Sequence, residues 1–260
     1  MGDAALRLTV FVGVMGVMAL LQAVFPRRRL DLGYRRWPVN LGLVVCDTVL
    51  LRLLLPAGAV GVAVWAEQAD FGLLHGLNIT GAPALILSLL LLDLLIYTQH
   101  VVFHAVPLLW RLHRVHHADQ EIDVSTGLRF HPMEILLSML IKMGAVALLG
   151  VPAFSVLLFE VLLNGMAMFN HSNVRLPLAL DAALRRLLVT PDMHRVHHSV
   201  LVAETNSNYG FNLSLWDRLF GTYTAQPEQG HGGMRIGLPG FQSGRADTLK
   251  ELLLLPFARR

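Results

Sequence analysis

A chain of 260 residues in which 54% are hydrophobic and only 15% charged, with a mean hydropathy of +0.55, is not composed for water, because soluble domains average about 25% charged residues. The formal net charge of +3 comes from arginines at the edges of apolar runs, and no basic stretch is interleaved with aromatics, so a nucleic-acid surface is excluded. A single cysteine, Cys46, excludes both a disulfide framework and a thiolate metal site.

The first apolar run, Leu8 to Pro26, is uncharged and long enough to cross a hydrocarbon core of roughly 30 Å. Arg27, Arg28, Arg29, Arg35 and Arg36 follow it. A cleaved leader carries its positive charge before the apolar core, and here the order is reversed, so the run is expected to stay as a helix ending in the cytoplasm. A second span is expected from Val39 to Ala66, interrupted by Asp47 and Arg52 and kinked at Pro56. Glu67 and Asp70 come next, with no Lys or Arg until Arg111, so the loop holding His75 reads as the outer side. The third span is expected from Pro83 to His104. Between Ile135 and Phe169 the turn signal Gly150-Val151-Pro152 divides an apolar stretch into two arms. At about 16 residues and 24 Å each, these arms read as a helical hairpin that enters and leaves on the cytoplasmic side.

The expected fold is an all-α integral membrane helical bundle: about three full spans, a helical hairpin, and a cytoplasmic-side helical cap. No linker divides it, but three stretches differ in content: 1–82, transmembrane helices without a diagnostic motif; 83–225, the catalytic region; and 226–260, a tail. The Ala/Leu/Arg-rich composition points to a bacterial inner membrane.

Ten of the twelve histidines lie between His100 and His198. Eight of them form three groups: His100 and His104; His113, His116 and His117; His194, His197 and His198. On a helix, positions i, i+3 and i+4 share one face, so each group aims its imidazoles together. An interfacial band of histidines would not need the same His-x-x-His-His spacing twice. The missing His-Glu-x-x-His pattern counts against a zinc protease.

Several segments resemble the fatty acid hydroxylase superfamily, also called the sterol desaturase family. They are Trp110-Arg-Leu-His-Arg-Val-His-His117, Arg129-Phe-His-Pro-Met-Glu134, Phe169-Asn-His-Ser-Asn173, Thr190-Pro-Asp-Met-His-Arg-Val-His-His198, Asn208-Tyr-Gly210 and Trp216-Asp-Arg-Leu-Phe-Gly-Thr222, so the resemblance covers residues 90–224. It implies two iron ions held by histidines, O₂ as co-substrate, and hydroxylation or desaturation of a lipid such as a sterol, fatty acyl, sphingoid or ether lipid. It also adds His131 and His171 as ligands. Donor chemistry agrees: imidazole suits iron, zinc or copper, and eight to ten donors exceed what one tetrahedral zinc uses. Zinc is expected to replace iron on overexpression. With no flavin, nicotinamide or cytochrome-like segment, electrons must come from a separate donor of the ferredoxin or cytochrome b5 type with its reductase. A bis-histidine haem electron carrier and a divalent-metal transporter are the rival readings.

Beyond the metal ligands no catalytic residue is marked. Asp93, Asp119 and Asn170 are candidates to hydrogen-bond ligand imidazoles. Thr190-Pro191-Asp192 reads as a helix start. Trp216 and Phe220 read as a buried helix face, and Arg185, Arg186 and Arg195 as charge facing headgroups or an acidic electron donor. His75 and His231 fall outside the motifs.

Overall fold

The computed structural model describes residues 3–241 and 248–258. The first helix, α1 (Asp3–Val24), contains the apolar run from Leu8 onward, and it stops just before Pro26 and the arginines. α2 (Trp37–Leu54) carries Pro38 in its first turn, where a missing N–H leaves nothing unpaired. Leu55, the residue before Pro56, leaves helical geometry at φ −132° and ψ 61°. The kink expected at Pro56 is therefore a full break, and α3 (Gly58–Gln68) begins beyond it. α3 turns Ala59, Ala63 and Ala66 inward, and these small side chains let its backbone approach the hairpin described below.

After the single turn α4 (Leu73–Gly76), α5 (Gly81–Ala105) forms the longest helix, with Pro83 near its start. Val106 is held extended ahead of Pro107 and makes the corner into α6 (Pro107–His117). α7 (Pro132–Leu149) and α8 (Ala153–Asn170) are the two arms of the expected hairpin. Gly150, at φ +67°, closes α7 in the left-handed region that glycine enters without strain. Each arm has 18 residues rather than the shorter length expected, or about 27 Å. Among the described residues five helical stretches are long and apolar enough to cross a membrane: Ala5–Val24, Gly33–Gly76, Gly81–Ala105, Pro132–Leu149 and Ala153–Asn170.

Leu92 of α5, Val146 of α7, and Val156 and Phe159 of α8 are buried together between the helices. An ionic cluster joins α1, α7 and α8. The Glu160 carboxylate accepts from Lys142 Nζ at 2.5 Å and also from the Arg7 guanidinium. A lone charge at such depth would be costly, and the pairing offsets that.

The hairpin turn places the start of α7 and the end of α8 at one end of the bundle, where α5 also finishes. Short helices and loops cover this end: α9 (Leu178–Leu184), α10 (Pro191–His197), α11 (Val202–Thr205), α12 (Leu215–Leu219), α13 (Gly230–Gly233) and α14 (Leu249–Leu254). Thr190 caps α10 as its sequence suggests, accepting from the Met193 amide. Among the described residues no strand forms, only isolated bridges such as Ser199 with Ile236. Phe241, Leu252 and Leu255 pack against Leu43 and Val115, so the described part of the 226–260 tail is docked on α2 and α6. Residues 242–247 and 259–260 of that tail lie outside the described ones. Phe220, expected in a buried face, is 56% exposed and stacks on Tyr97 instead.

Candidate metal centre

Nine histidines converge beneath the cap in two groups. His100, His104, His113, His117 and His197 form one, and His116, His171, His194 and His198 the other; within each group the candidate donor atoms lie within 4.8 Å of one another. Both His-x-x-His-His segments are divided between the groups. α6 sends His113 and His117, one turn apart on one face, to the first group and His116 to the second. α10 and the residue that ends it send His197 to the first, and His194 and His198 to the second.

The imidazoles are oriented mainly by backbone carbonyls, which can only accept, so the bonded Nδ1 carries the proton and Nε2 keeps its lone pair. His100 Nδ1 donates to Tyr209 O at 2.7 Å, His116 to Arg129 O at 3.2 Å, His171 to Ala167 O at 2.7 Å and His197 to Ser207 O at 2.7 Å. His113 Nδ1 meets Glu134 Oε1 at 2.6 Å, and His104 Nδ1 meets Asn206 Oδ1 at 3.3 Å. This is how metal-binding histidines are ordinarily fixed in tautomer and direction.

The Nε2 atoms then face one another. His100 and His113 stand 3.1 Å apart, His116 and His171 3.0 Å, His171 and His194 2.9 Å, and His194 and His198 3.2 Å. The Nε2 atoms of His104, His117 and His197 are buried without a hydrogen-bond partner. Where both Nδ1 atoms donate to carbonyls, as in His116 and His171, two Nε2 lone pairs face each other and repel unless a cation lies between them. Two nitrogens at right angles around a metal, each about 2.1 Å from it, would be about 3 Å apart, which is the spacing found here. The residues present therefore fit a pair of metal ions.

Burial keeps the site in its neutral, lone-pair form. It pushes His113 and His171 down to about 3. His116, His117, His194, His197 and His198 are held well below 6.5, first by burial and then by the neighbouring imidazoles.

His131 does not join either group. Its Nδ1 accepts from the Met133 amide at 3.1 Å, capping α7, and its Nε2 lies 3.2 Å from Leu253 O, so both ring nitrogens are engaged elsewhere. The three proposed supporting residues also face other partners. Asp93 accepts from Trp216 Nε1 at 2.9 Å and from the Leu213 amide. Asp119 pairs with Arg36 Nη1 at 2.6 Å and accepts from Thr126 Oγ1. Asn170 donates to Phe211 O. Arg195, expected at the surface, is fully buried against Asp192, and Arg185 is buried against Asp181; only Arg186 of that set is exposed.

Of two supporting side chains, Glu134 ends the Arg129-Phe-His-Pro-Met-Glu134 segment but had no role marked there, and Asn206 carried no signal of its own in the sequence. The Tyr209 carbonyl did have one, the Asn208-Tyr209-Gly210 turn. Asn208 takes φ +51°. The Asp217 carboxylate accepts from the Tyr209 and Gly210 amides at 2.8 Å each, which aims the Tyr209 carbonyl at His100.

A helical membrane bundle closed at one end by a polyhistidine centre defines a class, and the sequence comparison gives its family. Residues 85–222, more than half of the chain, match the fatty acid hydroxylase family, and the chain belongs to it. It is 33% identical over 142 residues to an ornithine lipid hydroxylase of Rhizobium tropici, covering 55% of this chain and 42% of that protein. Human alkylglycerol monooxygenase is 30% identical over 134 residues, covering 51% and 29%. Cholesterol 25-hydroxylase of Rattus norvegicus is 26% identical over 144 residues, covering 55% and 47%. The match thus spans less than half the length of each of these relatives. No solved structure matches the chain.

Proposed function

We propose that this protein is a lipid hydroxylase that uses O₂ at a pair of iron ions held by nine histidines, five in one group and four in the other. The observation that carries the proposal is the convergence of nine neutral imidazoles whose Nε2 atoms crowd to about 3 Å, the spacing expected around a metal. Iron bound there would supply the activation of O₂ that inserts one oxygen atom into an unactivated C–H bond, the other leaving as water with two electrons and two protons from outside.

The chain's own residues orient and shield. Carbonyls of Tyr209, Arg129, Ala167 and Ser207 fix four ligand rings, and Glu134 and Asn206 fix two more. The short cap helices and the 118–131 loop bury the nitrogens, which keeps bulk water away from them. Only His104 among the nine is less than fully buried, and Trp110 packs across its ring and that of His117.

The names of the relatives favour hydroxylation over desaturation, and a membrane lipid as the substrate class. A haem carrier fits less well, because ring centroids in the four-histidine group stand 4.3 to 5.1 Å apart and leave no slot for a porphyrin. Lipid extracts from cells with and without the intact protein, grown under ¹⁸O₂, test the reading. We expect a lipid carrying one labelled oxygen only where the protein is present. No O₂-dependent difference between the extracts would overturn it.

We place the metal end on the cytoplasmic side of a bacterial inner membrane. Arg27 and Arg28 bind Asn173 at that end, whereas Glu67 caps the start of α8 beside the hairpin turn at the other. In a Cys46→Ala background, Arg186→Cys should be labelled only from the cytoplasm and Leu73→Cys only from outside. The opposite pattern would reverse this orientation.

A further inference from the structure

Just beyond the end of α1 the chain forms a cleft of about 220 Å³, open to solvent on one side, that the metal centre does not use. It is built by residues 28–31, 120–122, Asn173 and 233–236. The last of these segments pairs with Ser199 and Val200, next to His198, and Asn173 stands two residues beyond His171. Ile122, Met234 and Ile236 are buried together along one side.

The polar side carries three arginines. Asn173 grips the Arg28 backbone from both directions, accepting from its amide at 3.1 Å and donating to its carbonyl at 2.7 Å. The Arg28 backbone is thereby anchored at the cleft, and its side-chain Nη1 is buried with no hydrogen-bond partner. Burial lowers its pKa, with Glu121 opposing and Arg27 adding to the effect. The Arg29 side chain is 93% exposed and meets Asp31 only at 4.0 Å, and Arg235 is exposed. Of the two lining carboxylates, Glu121 is already engaged: it accepts from the Asp31, Leu32 and Gly33 amides and faces Arg36 Nε at 3.5 Å. Asp31 is exposed to solvent. The cleft therefore holds more positive charge than its carboxylates neutralise, and a buried donor without an acceptor is the least favourable part of it.

Its place along the chain indicates the ligand. Arg28 stands four residues past Val24, the last residue of an apolar span, so at most about 14 Å of chain separates them. The layer outside the hydrocarbon is roughly 5–7 Å thick on each side, and lipid phosphates lie within it. A cleft of about 220 Å³ has room for a phosphate group with part of its hydration. We propose that Arg28, Arg29 and Arg235 form a site for a phosphate group, supplied either by a phospholipid headgroup or by free phosphate.

The test uses the full chain in detergent and follows its thermal midpoint against inorganic phosphate, a short-chain phosphatidylglycerol, and sodium chloride at matched ionic strength. We expect saturable stabilisation by at least one phosphate compound beyond that given by chloride. Arg28→Gln and Arg235→Gln should each raise the half-saturating concentration about tenfold or more, as loss of a charged hydrogen bond does. Arg186→Gln, exposed and outside the cleft, should leave it unchanged. If the phospholipid acts at lower concentration than inorganic phosphate the source is a headgroup, and the reverse order identifies free phosphate. Arg235 is exposed, so its variant keeps the test decisive even if Arg28→Gln does not fold. Stabilisation no greater than with chloride, or equal binding by Arg235→Gln, overturns the proposal.

Discussion

Single histidines in this chain are distinguished by what their second ring nitrogen touches. His131 and His171 look alike in sequence, each alone at the end of a hairpin arm. The difference is made by distant chain: His171 presents Nε2 to His116 and His194, while His131 spends Nδ1 on the α7 cap and Nε2 on Leu253. Asp119, expected beside a ligand imidazole, is likewise placed by distant chain, paired with Arg36 from far earlier in the sequence. The regular spacing of the three histidine groups, by contrast, is local and was legible. We predict that His117→Ala and His198→Ala each abolish turnover and lower bound metal, and that the double variant is little worse than either, as groups acting as a unit behave. His131→Ala should keep its metal and lose about 1 kcal/mol of stability with the cap. Metal analysis and thermal unfolding of the four proteins check this; metal loss in His131→Ala equal to that in His117→Ala would contradict it.

Helix breaks were legible because proline and glycine act locally. The Gly150-Val151-Pro152 turn separates two helices as expected, while Pro56, expected only to kink a span, ends one. The loops that orient the ligands were not legible, because their bonds join residues far apart in sequence, such as Asn206 with His104 and Tyr209 with His100. Gly127 shows how tightly such a loop meets a helix. A Cβ there would stand 2.6 Å from Ala167 O, the acceptor that orients His171, and 3.2 Å from His171 Nδ1. Gly127→Ala should therefore destabilise by about 1–3 kcal/mol, the usual cost of overpacking, and weaken metal binding in the four-histidine group. Gly144→Ala, with nothing within 4 Å of the added carbon, should be neutral or slightly stabilising. Equal unfolding midpoints and metal contents for the two variants would show that this contact does not hold His171.

For the whole molecule, the bundle brings one end of α5, α6 and α8 together under the cap, so that residues from 100 to 198 meet in one buried volume. The all-helical membrane fold could be read from hydropathy and the arginines. The division of each His-x-x-His-His segment between two groups could not, since it depends on how α6 and α10 face each other across the end of the bundle. With a metal in each group, that division would tie the two ions into one shared site. The most direct measurement is the iron content of the intact chain, purified after expression in iron-rich medium, by elemental mass spectrometry alongside an absorption spectrum. We predict close to two metal ions per chain, iron with any zinc that has replaced it, and no haem band. One metal or fewer per chain, or a haem band, would contradict it.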